Sequence, residues 1–256
     1  MKIALVGYGQ MGHMLRSVAE KKGHEIVLTV DPIAKDADVN ASSPEKIAAA
    51  VQKSGAEGVI EFTHPSVVVN NIKNLLPLRL PLVVGTTGWN EHKDEIRKLA
   101  EQTGTYMFQA ANYSIGVNLF YRIVSEAARL VSAYDDYDCA LWEAHHTKKA
   151  DSPSGTALEI ASLVMQNMPS KKTIVTDAFH QRPSPEQLHV SSTRIGSVPG
   201  THKVYFDSPF DTIELTHTVR SREGLALGAV CALEWLSKTE KDKKLPCGMY
   251  TMSDML

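Results

Sequence analysis

The stretch Ile3-Ala4-Leu5-Val6-Gly7-Tyr8-Gly9-Gln10-Met11-Gly12 decides the fold of the first half of the chain. Its four leading apolar residues form a short run typical of a buried strand, and the pattern G-x-G-x-x-G follows at once. Over residues 11–22 the apolar positions fall on one helical face, and Gly23 is a normal helix stop. A strand, a glycine turn and a helix in this order are the context in which the pattern binds the pyrophosphate of a dinucleotide.

Each glycine of the pattern has a physical reason. Gly7 permits the tight turn, Gly9 lets a pyrophosphate approach the backbone, and Gly12 lets the helix pack closely against the strand. The free N–H groups and the positive dipole end of the helix would face the phosphates. A glycine turn that binds no ligand is the alternative, but the flanking strand and helix favour dinucleotide binding.

Asp31 follows the second predicted strand, residues 24–30. It lies about 20 residues after the glycine pattern, where a carboxylate accepts hydrogen bonds from the adenosine ribose of a bound dinucleotide. A carboxylate here would repel a 2′-phosphate and so favours NAD. Lys35 lies close by in sequence and could offset part of that repulsion, so NADP stays open.

Strand and helix patterns alternate as far as residue 111. Short apolar runs predict further strands at residues 58–62, 82–85 and 105–108. Helices are predicted to begin at Ser43-Pro44, with Pro at the first helical position, and to span residues 66–76 and 91–102. Strands joined by such helices need right-handed crossovers, so the predicted fold class is α/β with a parallel, Rossmann-type sheet.

Two loops follow predicted strands of this sheet. Gly85-Thr86-Thr87 comes after the fourth strand, and Ala110-Ala111-Asn112-Tyr113 comes after the fifth. In a parallel sheet the ligand crevice lies outside the carboxyl ends of the strands, so both loops would reach it. Ordinary turns explain the same residues equally well on local sequence alone.

After residue 112 the pattern changes to strands with few helices between them. Helices are predicted at residues 117–131 and 156–168, and a last apolar helix at 228–236. Strands are predicted at residues 139–144, 173–176, 188–193, 203–206 and 212–219. This pattern indicates a second domain of the α+β type, a sheet with helices on one side.

The composition excludes several classes of function. In 256 residues, 27 Lys and Arg against 29 Asp and Glu give a net charge of −2, which lacks the basic surface that attracts nucleic acid or an anionic membrane. Cys139, Cys231 and Cys247 form no C-x-x-C pair, so neither a disulfide framework nor a zinc ribbon is indicated. No apolar run reaches the roughly 18 residues of a membrane helix. We expect a cytoplasmic protein without a nucleic-acid or membrane partner.

The densest polar stretch of the chain is Glu143-Ala144-His145-His146-Thr147-Lys148-Lys149-Ala150-Asp151-Ser152-Pro153-Ser154-Gly155-Thr156. It leaves a predicted strand and enters a predicted helix. Ser154, Gly155 and Thr156 would lie at that helix N-terminus, where backbone N–H groups bind an anion such as a carboxylate.

Two kinds of side chain in this stretch point to proton chemistry. Lys149 can place an ammonium in the same pocket, and His145 and His146 can both reach it if the strand ends there. An imidazole moves protons near neutral pH, and an ammonium stabilises an anionic intermediate or donates a proton. The set suits a small substrate that bears carboxylates.

Three other interpretations of this stretch compete. The two histidines could form a surface or capped pair. A metal site lacks a third ligand at convincing spacing, so no metal is predicted. Ser154 could be a nucleophile, but the G-x-S-x-G elbow is absent.

The chain resembles the 4-hydroxy-tetrahydrodipicolinate reductase family, also called dihydrodipicolinate reductases. The stretch E-A-H-H-x-x-K-x-D-S-P-S-G-T matches the signature of that family, with Ser152 where Ala is usual. The resemblance spans nearly the whole chain. It also covers the glycine pattern, Gly85-Thr86-Thr87, residues 111–118, Arg194-x-Gly196 and His217-x-x-x-Ser221-Arg222.

The resemblance implies a dinucleotide-binding domain of residues 1–112, completed by about 223–256. It further implies a domain of residues 113–222 that binds substrate and builds a homotetramer, with hinges near Tyr113 and Arg222. The implied reaction is hydride transfer from NADH or NADPH to a cyclic unsaturated dicarboxylate, with loss of water, giving tetrahydrodipicolinate for lysine and diaminopimelate biosynthesis.

The resemblance also implies roles for single residues. The catalytic roles fall on His145 and Lys149. The substrate-carboxylate contacts fall on His146, Ser154, Gly155 and Thr156. The cofactor contacts fall on Gly7, Tyr8, Gly9, Gln10, Met11, Gly12, Asp31, Gly85, Thr86, Thr87, Ala110, Ala111, Asn112 and Tyr113.

The chain departs from the family pattern at a few positions. Gln10 stands where many members have Arg, Pro32 where some have Arg, and Thr201 where an acidic residue is common. The first two leave the choice between NADH and NADPH open. Two rival functions are a different two-domain dehydrogenase, such as an aspartate dehydrogenase-like enzyme, and a nucleotide-sensing module without catalysis.

Overall fold

The computed structural model describes residues 1–243 and 245–256. Its strands are β1 (Lys2–Val6), β2 (Glu25–Val30), β3 (Gly58–Glu61), β4 (Leu82–Val84), β5 (Tyr106–Gln109), β6 (Asp138–His145), β7 (Thr173–Val175), β8 (Gln187–Arg194), β9 (Thr201–Asp207), β10 (Thr212–Thr218) and β11 (Gly248–Tyr250). Its α-helices are α1 (Gln10–Lys21), α2 (Pro44–Lys53), α3 (Pro65–Leu75), α4 (Lys93–Thr103), α5 (Ile115–Val131), α6 (Gly155–Asn167), α7 (Glu223–Asp242) and α8 (Met252–Met255). Short 3-10 helices span Leu76–Leu78 and Asn90–His92.

The chain divides into two compact units. The first unit contains Met1–Ile115 and Glu223–Leu256, and the second contains Gly116–Arg222. In the first unit, a parallel sheet has the strand order β11-β5-β4-β3-β1-β2. The order reverses at β1, which has β2 on one side and β3 on the other. This reversal places the ligand crevice of such a sheet beyond the carboxyl ends of β1 and β3.

The first unit buries its sheet on both faces, which explains its continuous apolar strands. All four residues of β3 are buried. One core cluster joins the sheet to α2, α3 and α4 through residues such as Ile47, Ile72 and Ile96. The other joins it to α1 and α7 through residues such as Leu15 and Leu233. The predicted Rossmann-type α/β class is confirmed.

The second unit is built on a mixed sheet of order β10-β9-β6-β8-β7. β6 pairs in parallel with β8 and antiparallel with β9, so the sheet has both kinds of neighbour. Apolar residues of α5 and α6, among them Val124 and Ile160, pack on the row that includes Leu141 and Val204. The predicted α+β type of this domain is confirmed.

The last elements of the chain differ from the sequence expectation. The predicted helix at 228–236 is longer, because α7 runs from Glu223 to Asp242. The edge strand β11 and the short helix α8 were not predicted, since three and four residues are too few to show a period. Within the described residues, no helix combines the length and the apolar character that a membrane crossing requires.

Candidate functional site

The glycine turn lies between β1 and α1, as the motif predicts. Gly7 has φ +95°, and a Cβ there would meet the Phe62 carbonyl oxygen at 2.0 Å. A Cβ on Gly12 would lie 2.5 Å from the Gly7 carbonyl oxygen, so this glycine lets helix and turn touch. At Gly9 a Cβ would meet nothing within 4 Å. The space above Gly9 is therefore open, which fits a phosphate approaching the N-terminus of α1.

Asp31 lies beside this turn, at the end of β2. Its Oδ2 accepts a 2.8 Å hydrogen bond from the Tyr8 N–H, and its Oδ1 accepts bonds from the N–H groups of Ile33 and Ala34. Burial raises the pKa of Asp31, but these backbone hydrogen bonds outweigh it and hold the pKa below its usual value. Asp31 is an ionised acceptor at neutral pH.

A cleft of about 910 Å³ opens at this end of the first unit. Its lining residues are Tyr8, Gly9, Gln10, His13, Met14, Asp31, Ile33, Ala34 and Asp36. His13 stacks on Tyr8 with ring centroids 4.2 Å apart and bonds Asp36 at 2.8 Å. Met11 is half-buried on the following turn. Two carboxylates therefore line the cleft where an adenosine ribose is expected.

The Gly85-Thr86-Thr87 loop is held from below by buried groups. The Thr86 hydroxyl donates to Glu61 Oε2 at 2.8 Å and accepts from the Thr63 N–H at 2.7 Å. A Cβ on Gly85 would overlap the Phe62 ring at 1.9 Å. Burial raises the pKa of Glu61, which hydrogen bonds from Thr63, Thr86 and Asn71 oppose. The Thr86 side chain therefore makes its hydrogen bonds to protein groups, whereas the neighbouring Thr87 is exposed.

The loop after β5 has one anchor and one open side. Tyr113 is buried, and its hydroxyl lies 2.7 Å from the Val84 carbonyl oxygen, to which it donates. Ala110 is buried, Ala111 is exposed and Asn112 is half-buried. The parallel sheet brings the glycine turn, Asp31 and both loops to its carboxyl edge.

In the second unit, strand pairing assembles a row of polar side chains. Glu143 of β6 pairs with Ser192 of β8 and with His202 of β9, and His202 pairs with His217 of β10. The adjacent row is apolar across the same strands and consists of Val190, Leu141, Val204 and Leu215. The covered face of this sheet therefore changes from apolar to titratable over a single row.

Glu143 is the centre of this row and is fully buried. Its Oε1 accepts three bonds of 3.0 Å, from the Ser154 N–H, the Ser192 hydroxyl and Arg194 Nη2. Its Oε2 accepts from the Ser154 hydroxyl. Burial raises the pKa of Glu143, but hydrogen bonds from His202, Ser154 and Arg194 outweigh it and hold the pKa well below its usual range. Glu143 is a buried carboxylate that stays ionised.

Of the two predicted catalytic side chains, His145 lies next to Glu143 and Lys149 is paired with Asp151. β6 ends at His145, whose Nε2 is 3.4 Å from Glu143 Oε2. Lys149 follows in the loop, and its Nζ is 2.7 Å from Asp151 Oδ1. His146 Nε2 is 3.3 Å from Arg222 Nη2. β6 thus ends at His145, and His146 begins the loop that follows.

The helix N-terminus predicted at Ser154 is present. Ser154 is the N-cap of α6, and its hydroxyl oxygen accepts from the Ala157 N–H at 3.2 Å. The Ser154 N–H donates to Glu143 and the Gly155 N–H to the Asp151 carboxylate, so an anion at this helix end would compete with Asp151 for Gly155 and would also face Thr156. Gly155 is exposed, and Thr156 is half-buried with its side chain hydrogen-bonded to Tyr121.

Glu143, His145 and His202 each place one nitrogen or oxygen within 4.8 Å of the others. The spacing could admit a metal ion. However, the Glu143 oxygens already accept bonds from Ser154 and Ser192, and a guanidinium lies 3.0 Å away. We interpret this trio as two imidazoles beside one hydrogen-bonded carboxylate, and the absence of a metal stays a prediction.

Sequence reasoning assigned no role to Glu143, Arg194 or His202. Glu143 carried a signal, because residues two apart in a strand share a face and His145 follows by two. Arg194 and His202 reach the site only through the register of β8 and β9 with β6. No local sequence pattern predicts the register of these strands.

The fold and these features define a class: a two-domain, nucleotide-dependent dehydrogenase with a glycine turn in one unit and a buried cluster of titratable side chains in the other. The family model described as "Dihydrodipicolinate reductase, N-terminus" matches residues 1–113, and the model for its C-terminus matches residues 116–256. The chain belongs to the dihydrodipicolinate reductase family, and the resemblance seen in the sequence is confirmed.

Individual relatives agree with this assignment. A protein of Christiangramia forsetii named 4-hydroxy-tetrahydrodipicolinate reductase is 33% identical over 256 residues, covering 100% of this chain and 98% of its own length. One of the same name from Archaeoglobus fulgidus is 34% identical over 267 residues, covering 100% of both. A structure described as dipicolinate-bound dihydrodipicolinate reductase from Paenisporosarcina sp. TG-14 has a TM-score of 0.78 at 20% identity, over 100% of this chain and 99% of that one. This last match shows a shared fold.

Proposed function

We propose that this protein reduces 4-hydroxy-tetrahydrodipicolinate to tetrahydrodipicolinate with NADH or NADPH, with loss of water, in lysine and diaminopimelate biosynthesis. The observation that carries the proposal is family membership across both halves of the chain, with named relatives matched over their full lengths. The arrangement of His145, Lys149 and the N-terminus of α6 supports it.

The first unit would hold the cofactor. The open space above Gly9 fits a pyrophosphate, and the ionised Asp31 fits a ribose diol. When bound, the reduced nicotinamide supplies the hydride. Gly7, Tyr8, Gln10, Met11 and Gly12 would shape the pocket around the phosphates and adenosine. The exposed Thr87 and Ala111 would form the wall at the carboxyl edge, together with the half-buried Gly85 and Asn112. The buried Thr86, Ala110 and Tyr113 would support them from behind.

The second unit would hold the substrate. A dicarboxylate needs cationic or N–H partners, and Lys149, His146 and the N–H groups of Gly155 and Thr156 offer them. Ser154 would contribute by capping the helix that presents those groups. Hydride addition to a conjugated imine builds negative charge that must be protonated. Lys149 and His145 would stabilise that charge and supply the proton.

We also propose that the protein is a cytoplasmic homotetramer that assembles through its second unit. The helix α5 buries one face in its own core, yet Leu119, Ile123 and Leu130 on another face are 44%, 53% and 54% exposed. An apolar stripe at helical spacing fits contact with a second copy of the chain. Light scattering should give four times the monomer mass; a monomer at micromolar concentration would contradict this assembly.

The test of the function is NADH oxidation with the product of dihydrodipicolinate synthase supplied as substrate. We expect turnover with tetrahydrodipicolinate as the product by mass spectrometry. NADPH is run in parallel to measure the preference. A protein that binds NADH but shows no turnover at any pH would contradict the proposal and favour the nucleotide-sensing alternative.

A further inference from the structure

His145 has one ring nitrogen fixed by the backbone. Its Nδ1 lies 3.1 Å from the Pro199 carbonyl oxygen, and a carbonyl can only accept, so Nδ1 carries a proton. The ring also packs on Gly200, where a Cβ would lie 2.8 Å from His145 Cε1. The ring therefore has little freedom to turn. Whether His145 is neutral or charged is decided at Nε2.

The Nε2 atom of His145 is buried and has no hydrogen-bond partner. The nearest acidic atom is Glu143 Oε2, at 3.4 Å. In neutral His145 the Nε2 lone pair faces a carboxylate oxygen, and two acceptors gain nothing from each other. In protonated His145 the charged ring forms an ion pair with that oxygen across 3.4 Å. The contact with Glu143 favours the protonated ring, and burial opposes it.

His202 meets the same carboxylate from the neighbouring strand. The Ser154 hydroxyl has a single proton and donates it to Glu143. In the 3.3 Å contact between Ser154 Oγ and His202 Nε2, Ser154 must therefore accept, and the proton must lie on His202 Nε2. His202 Nδ1 is buried without a partner, as expected if the neutral tautomer carries its proton on Nε2. The Nε2 atoms of both histidines therefore lie close to the same carboxylate oxygen, Glu143 Oε2, at 3.5 Å for His202 and 3.4 Å for His145.

We propose that Glu143 is a positioning residue that serves as the buried counter-ion of protonated His145, and that it holds the N-terminus of α6 in register with that ring through Ser154. One carboxylate would then tie together the imidazole and the helix end that the substrate is proposed to contact. The inference deepens the proposed function and rests on it for its catalytic meaning.

Several charges act on His145 besides Glu143. Burial lowers the pKa of His145, Glu143 raises it, His202 and Lys149 lower it, and the hydrogen bond to Pro199 raises it; the net pKa lies below its usual value. Arg194, on β8, donates from Nη2 to Glu143 Oε1 at 3.0 Å, which is not the oxygen nearest to His145. Glu143 is therefore the acidic group that opposes burial, His202 and Lys149 without overcoming them, and it favours the protonated ring when that form is reached. Its removal should make protonation of His145 harder.

The test is an NMR titration of the His145 ring in the full chain, assigned by loss of its signal in His145→Asn. In Glu143→Gln the carboxylate charge is lost at nearly constant shape, and we expect the midpoint to fall by about one pH unit, a tenfold change in protonation. Ser192→Ala is the matched control, because it removes a hydrogen bond to the same carboxylate without changing charge. Its midpoint should stay within about 0.2 unit of wild type.

An unchanged midpoint in Glu143→Gln, or an equal shift in Ser192→Ala, would overturn the inference. If Glu143→Gln does not fold, Glu143→Asp draws the carboxylate back from Nε2 and should lower the midpoint in the same direction. In the active enzyme, the alkaline limb of the kcat/KM profile should move to lower pH in Glu143→Gln and not in Ser192→Ala. If the wild-type enzyme shows no turnover, the proposed function is contradicted. The NMR titration still decides the role of Glu143 in that case.

Discussion

The two candidate pockets of this protein are built by different means. At the glycine turn of the first unit, the backbone provides the ligand groups, and the decisive residues lie within a few positions of one another. Around Glu143 in the second unit, side chains from β6, β8 and β9 and the cap of α6 meet at one carboxylate. We infer that binding at the first pocket depends mainly on backbone space, with Asp31 as one charged side chain beside it, whereas binding at the second depends on side-chain charge.

The largest effect should come from the charged pocket. We predict that Lys149→Ala lowers kcat by about a hundredfold or more, because the reaction loses the ammonium that stabilises its developing charge. The affinity for NADH, measured by fluorescence titration, should change little. Lys148→Ala, at an exposed neighbouring position, is the control. If Lys149→Ala also loses affinity for NADH, the prediction that Lys149 acts only in the second pocket is contradicted.

The backbone pocket is tested by two glycines that differ in what surrounds them. In Gly9→Ala the new methyl meets no protein atom within 4 Å, so the melting temperature should hold. NADH should bind about 30-fold more weakly, equivalent to roughly 2 kcal/mol of overpacking against the phosphates.

Gly12→Ala is the matched variant. Its methyl would lie 2.5 Å from the Gly7 carbonyl oxygen, so we expect a stability loss of about 1–3 kcal/mol, read as a lower melting temperature. Equal melting temperatures in the two variants would show that the turn does not pack as described.

A smaller effect should separate the two cofactors. Asp31→Ala removes an ionised acceptor, so NADH should bind about tenfold more weakly. NADPH should lose less, because the same change relieves repulsion of its 2′-phosphate. Asp36→Asn, across the cleft on the His13 side, is the comparison variant. A greater loss for NADPH than for NADH would refute the ribose interpretation of Asp31.

The same contrast explains what could be predicted from the sequence. Strands β1 to β5 and their helices follow from apolar runs and stop signals, because a doubly covered parallel sheet imposes them locally. The site residues His145, Lys149 and Ser154 were visible because they are neighbours in one stretch. The grouping of Arg194 and His202 around Glu143 could not be predicted, because it depends on the register of strands that lie about 50 residues apart in the chain. β11 was too short to leave a pattern.

The central claim is that the glycine turn holds the nucleotide and the Glu143–Lys149 region holds the diacid. Calorimetric titration of NADH and of pyridine-2,6-dicarboxylate into wild type, Gly9→Ala and Lys149→Ala tests it most directly. We predict that Gly9→Ala weakens NADH and keeps the diacid, while Lys149→Ala weakens the diacid and keeps NADH. Variants that weaken both ligands alike, or that exchange these effects, would contradict the account.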